Sequence, residues 1–147
     1  MGTKIDVNNI HSRFKIHPDA VKKLVQAVLK AEKMRAREIS VVFATDEYLR
    51  KLHRDFLKND RYTDVITFDL SEGEGIEGEI YISLDRARYF AREYQEPFHR
   101  EVARLVIHGL LHLKGYSDAT PAQRQEMHQR ENQHLKNVSL NEKMIDF

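Results

Sequence analysis

The chain contains no cysteine among its 147 residues. That absence excludes disulfides, thiolate metal sites and a cysteine nucleophile together, and it suits the cytosol. An excess of one charge is lacking as well: 24 Lys and Arg stand against 23 Asp and Glu, for a formal net charge of +1. No global field therefore draws the protein onto nucleic acid or an anionic membrane, and any such binding must come from a local patch. Long apolar runs are also missing. The longest, Leu105 to Leu113, carries two histidines and falls far short of the roughly 20 residues a membrane span requires. The stretch MGTKIDVNNIHSRFKIHP has neither the apolar segment nor the small-residue cleavage site of a signal peptide. A soluble, cytoplasmic protein with no membrane contact and no disulfide partner is expected.

The remaining composition, 41% hydrophobic and 32% charged, is that of a globular protein, and the length favours one domain over residues 1–147. No internal repeat or low-complexity segment interrupts it. Lys4 to Asn8 alternates weakly, as a first strand. His17-Pro18-Asp19 opens a helix whose apolar stripe is Val21, Leu24, Val25, Val28 and Leu29. Glu38 to Ala44 is a β-branched strand. Thr45 then caps a second helix, with Asp46 and Glu47 in its first turn and Tyr48, Leu49, Leu52 and Phe56 as its buried face. Asp64–Leu70 and Gly78–Leu84 are strands whose short connector predicts an antiparallel pair. The helix between the second and third strands permits a parallel crossover, so the sheet should be mixed. Asp85 is expected to cap a helix with face Ala87, Phe90, Ala91 and Tyr94.

Pro97 to about Lys114 reads as another helix. Its second half is apolar almost all round and so should be central. Gly115 stands where a left-handed C-terminal cap belongs, and Thr120-Pro121-Ala122-Gln123 is a capping-box start to a long polar helix. The fold class is α+β: one compact domain, a small mixed sheet of about four strands packed by about five helices, with a zincin-like central helix.

His108 and His112 lie four residues apart, one helical turn, and so share a face of that central helix. After the turn at Gly115 the chain can fold back to present Asp118. Two imidazole nitrogens and a carboxylate oxygen make a three-ligand site that suits one zinc ion, with the fourth tetrahedral position open to water as in catalytic sites. Ligand type also admits nickel, iron or manganese. The spacing matches the long zinc pattern of metzincin peptidases at both helix ligands, the turn glycine and the third ligand. However, the glutamate that serves those peptidases as general base, next to the first histidine, is Gly109 here. That moves the reading away from peptide hydrolysis.

The run His108-Gly109-Leu110-Leu111-His112-Leu113-Lys114-Gly115-Tyr116 resembles the signature of the YbeY family of bacterial rRNA-maturation endoribonucleases. Thr63-Asp64-Val65-Ile66-Thr67-Phe68 and Gly78-Glu79-Ile80-Tyr81-Ile82-Ser83 agree in order and spacing, and the resemblance covers roughly residues 39 to 133. It implies a metal-dependent, single-strand-specific endoribonuclease. The implied substrate is the 16S rRNA precursor, with roles in 3′-end maturation and ribosome quality control, and the ribosome or its proteins as partners. Two positions depart from the family. Its third histidine is Asp118, which keeps a ligand but lowers the charge of the centre, and its arginine facing the active site is Leu57. Arg54, Lys58 or Arg61 would then supply the positive charge that meets RNA. Arg86, Arg88 and Arg92 form a second candidate phosphate track or a solvated face. Thr63 and Asp64 either orient groups near the metal or cap a strand, and Tyr116 shields the site, stacks a base, or packs over the helix end. Two rival readings stay open: a zinc hydrolase of peptides or small amides, and a non-catalytic ribosome-associated module whose metal is structural.

Overall fold

The computed structural model describes residues 2–57, 63–138 and 144–146. In chain order these form β1 (Lys4–Asn9), β2 (Lys15–Ile16), α1 (Pro18–Ala31), β3 (Ala36–Ala44), α2 (Asp46–Leu57) and β4 (Val65–Asp69). There follow β5 (Ile76–Ser83), α3 (Leu84–Glu93), α4 (Phe98–Lys114), α5 (Pro121–Asn137) and β6 (Ile145–Asp146). The main sheet has the order β1-β3-β5-β4. It is mixed, but its parallel pairs are β1–β3 and β3–β5, while β4 runs antiparallel to β5 at the edge. The crossover through α2 therefore does not join parallel neighbours. The six residues between β4 and β5 force those two strands together. Ile80 and Ile82 of β5 are fully buried, which suits the sheet interior, whereas β4 ends on the exposed Asp69, which an edge tolerates. A second small sheet, β2 with β6, was not apparent from the sequence. No helix among the described residues is long and apolar enough to cross a membrane.

The principal core lies on one face of the sheet, where Ile39, Val41, Ile80 and Ile82 meet the expected stripe of α1 and the apolar sides of α4. Helix α4 touches α1, α3, α5, β4 and β5, so it is central, as its all-round apolarity requires. Helix α2 covers the opposite face. There only part of the expected stripe is buried: Leu49 fully and Leu52 partly, while Tyr48 is 39% and Phe56 66% exposed. Among the described residues no further layer lies over this helix; Tyr48 stacks against the half-buried Tyr81, and Phe56 meets the half-buried Phe68 edgewise. His53, one turn beyond Leu49, is buried instead.

The cap of α3 is Ser83, whose Oγ accepts from the Arg86 N–H, and not Asp85. The Asp85 carboxylate is engaged elsewhere, accepting from the Asp46 backbone N–H and lying 2.9 Å from His11 Nε2. Of the expected α3 face, Ala87 and Ala91 are buried, Phe90 is half-buried, and Tyr94 lies past the helix end and is 64% exposed. Pro97 precedes α4 as its N-cap. Thr120 and Gln123 form the capping box of α5.

Glu32, at the end of α1, ties three helices together. Its carboxylate accepts from Lys114 Nζ at 2.9 Å and faces His134 Nε2 at 2.5 Å. Burial pushes this carboxyl up, but the hydrogen bonds to Lys114 and His134 outweigh that and hold it below the ordinary glutamate value. A depressed folded-state pKa stabilises the fold above the unfolded value of about 4.3, and that contribution is lost as pH falls through the folded pKa. Thermal melts between about pH 3 and 6 should therefore show the parent losing stability more steeply than Glu32→Gln. Parallel curves would count against the clamp.

Candidate metal centre

The site begins with how α4 ends. Gly115 adopts φ +116°, a left-handed cap that a side chain would strain. Its N–H donates to the His112 carbonyl, and that of Tyr116 to Leu111. The reversed chain is then held by Arg124, whose guanidinium donates to the carbonyls of Asp118 and Ala119. The result places Asp118 beside both histidines. His108 Nε2 and His112 Nε2 are 3.0 Å apart, and Asp118 Oδ2 lies 3.2 Å from His112 Nε2 and 3.5 Å from His108 Nε2.

These separations fit a metal. Three tetrahedral ligands about 2.0–2.1 Å from one zinc ion stand roughly 3.3 Å apart. The tautomers agree. His112 Nδ1 donates to the Tyr116 carbonyl at 3.1 Å, and His108 Nδ1 donates to the Glu131 carboxylate at 2.6 Å. A neutral imidazole carries only one N–H, so both Nε2 atoms turn lone pairs toward each other and toward a carboxylate oxygen. With both rings neutral that arrangement is repulsive, and a metal ion or a shared proton at its centre relieves it. The three residues are the potential metal-holding group among the described residues.

Glu131 is the participant sequence reasoning missed. It is buried, receives Arg104 Nη1 at 3.3 Å, and orients the His108 ring. Carboxylate–histidine pairs of this kind commonly support metal ligands. Burial lowers the pKa of His108, but the Glu131 hydrogen bond and charge prevail and raise it, with Asp64 and Asp118 adding to the effect. Asp64 is itself pushed up by burial, against the opposing charge of His108. A signal for Glu131 does exist in the sequence. Met127, Glu131, His134 and Leu135 are the buried positions of α5, at helical spacing, but half of them are polar and so conceal the stripe.

Gly109 faces away from the metal group. A Cβ placed there would lie 2.6 Å from Ile80 Cγ2 on β5. The missing peptidase base thus has a packing cause: the helix and the sheet approach so closely at this point that a Cβ already presses on Ile80.

The cluster stands where two cavities meet. One, of about 280 Å3, is lined by His53, Leu57, Thr63, Asp64 and the three candidate ligands. The other, of about 380 Å3, runs from His108 and Asp118 between α4 and α5 past Arg104, Arg124 and His128. Leu57 thus lines the pocket. Arg54 does not line it; it is exposed and pairs with Asp55. Lys58 and Arg61 lie outside the described residues. Of the α3 arginines, Arg86 pairs with Asp46, and Arg88 lies over the Phe98 ring. Tyr116 packs over the helix end, beneath the Arg130 guanidinium.

The family model described as Endoribonuclease YbeY matches residues 6–139. The Endoribonuclease YbeY of Chloroherpeton thalassium is 44% identical over 80% of this chain and 83% of its own. That of Salinibacter ruber is 36% identical over 91% of each chain. The solution structure of a protein from Thermotoga maritima superposes with a TM-score of 0.64, at 27% identity, over 90% of this chain and 87% of that one.

Proposed function

The chain belongs to the YbeY endoribonuclease family, and on that premise we propose that it cleaves single-stranded RNA with one zinc ion held by His108, His112 and Asp118. The biological substrate in this reading is the 16S rRNA precursor near its 3′ end, in ribosome maturation and quality control in the cytoplasm, with ribosomal components as partners. The observation that carries the reading is three converging lone-pair donors at the junction of two cavities, an arrangement that lets a polymer pass across the cluster.

A bound divalent ion would supply Lewis-acid polarisation of a phosphate oxygen and of the attacking water. The protein's own groups do the rest. Glu131 and the Tyr116 carbonyl fix both imidazoles in the Nδ1–H tautomer, leaving Nε2 to ligate. Arg124 has only carbonyl partners among the described residues, so its charge beside Asp118 remains available to a phosphate and to the charge that develops during cleavage. The packing of Gly109 on Ile80 leaves no room at that position for the general-base glutamate of peptidase chemistry.

The test is cleavage of a single-stranded RNA beside its duplex form. Single-strand cleavage is expected to stop on chelation and to return on adding zinc, with the circular dichroism spectrum unchanged. Absence of cleavage by folded, zinc-loaded protein would overturn the proposal. Unfolding on chelation would instead favour a structural metal.

A further inference from the structure

The cavity between α4 and α5 does not end near the metal group. It shares Tyr94, Glu101, Arg104 and His128 with a larger cavity of about 690 Å3, which adds Arg100 and Asn132 to its lining. A volume of that size is within the range of small-molecule sites. At its wall stands Tyr94, exposed, with its ring stacked on Phe90 at a centroid distance of 5.7 Å and an interplanar angle of 7°. Phe90 is in turn held edgewise by Tyr89. The Tyr94 ring is thus backed by Phe90, while most of the residue stays accessible.

The charges of this cavity are largely satisfied within the protein. Arg104 is taken by the buried Glu101 and Glu131, and Arg100 pairs with Glu96 at 3.3 Å. Such a lining is poorly suited to a phosphate, which needs uncompensated positive charge. It suits a neutral, flat group that stacks on an aromatic face and takes hydrogen bonds from its edge. Asn132 and His128 offer those edge contacts, with donors and acceptors both available.

We infer that the Tyr94 cavity seats an unpaired nucleobase of the RNA, on the α5 side of the metal group, by stacking on Tyr94. The inference rests on the proposed RNA cleavage and deepens it. A base inside a duplex has both faces covered by its neighbours, so only a single strand can occupy this seat, which gives the preference for single strands a physical source. Stacking is tolerant of base identity because every base has a flat π-face.

The experiment compares fluorescein-labelled oligoadenylate with an abasic ribose-phosphate chain of the same length, by fluorescence anisotropy on the whole protein. The labelled strand is checked for intactness after each reading. The parent should bind the base-bearing strand roughly tenfold more tightly, the scale of one base–aromatic stack. Tyr94→Ala should lose that preference and Tyr94→Phe should keep it. Because Tyr94 is exposed beyond the end of α3, neither change opens a void in the core. A Tyr94→Ala protein that still prefers the base-bearing strand overturns the inference, even if the parent cleaves RNA. Conversely, a Tyr94-dependent preference in a parent that cleaves nothing leaves the seat standing and removes the nuclease reading.

Discussion

Gly109→Glu is expected to leave the protein largely unfolded at room temperature. The position is buried, and a Cβ there would meet Ile80 Cγ2 at 2.6 Å and two further Ile80 carbons at 3.1 Å. Ile80 is fully buried and β-branched, so its side chain has little freedom to yield. Overpacking of this kind costs about 1–3 kcal/mol. Burying an unpaired carboxylate adds several kcal/mol more, or obliges the group to stay protonated. Together these approach the 5–15 kcal/mol total stability of a typical domain, whose lower end they would exhaust. Gly109→Ala separates the two effects. It meets the same Cβ contact but gains about 1 kcal/mol of helix propensity, so a net loss of about 0–2 kcal/mol is expected. Urea denaturation of parent and both variants measures each. A Gly109→Glu protein as stable as the parent would show that this side of α4 faces open space.

Replacing His112 by alanine should weaken metal binding by more than about a hundredfold, and Glu131→Ala by roughly ten- to a hundredfold. The order follows from contact. His112 would be a ligand, with its Nε2 within 3.2 Å of both other donors. Glu131 acts through His108, whose ring it holds by the 2.6 Å hydrogen bond. Glu131→Gln keeps an acceptor for that N–H and loses only the charge, so its loss should be the smallest of the three. Competition for zinc against a chromophoric chelator gives the series, and RNA cleavage at limiting zinc should fall in the same order. Truncating Glu131 also frees Arg104, which is left with Glu101 alone; melting curves of each variant therefore accompany the titration. Parent-like zinc affinity in Glu131→Ala would remove its positioning role.

What could be read in advance was local. The pairing of His108 with His112, the proline start of α1, the glycine stop of α4 and the capping box of α5 each depend on residues within one or two turns of each other. The buried face of α2 is not local in this sense. Whether Tyr48 and Phe56 are buried depends on what lies over them, and among the described residues their ring partners are only Tyr81, stacked on Tyr48, and Phe68, edgewise to Phe56. The strand partners were similarly out of reach. The short connector dictated that β4 and β5 pair, but not that β5 would stand between β3 and β4.

The lack of cysteine and the spacing of the histidines by themselves determined that no thiolate can hold a metal here and that two imidazoles stand one helical turn apart to do so. That follows because a helix fixes the geometry of i and i+4. Only the tertiary structure decided that Glu131, 23 residues from His108, orients its ring, that Gly109 is a packing residue, and that Tyr94 borders a cavity continuous with the site. These depend on how α5 and α3 dock against α4 and how closely α4 approaches β5. Docking is set by the summed shape of distant surfaces, and no local spacing encodes it.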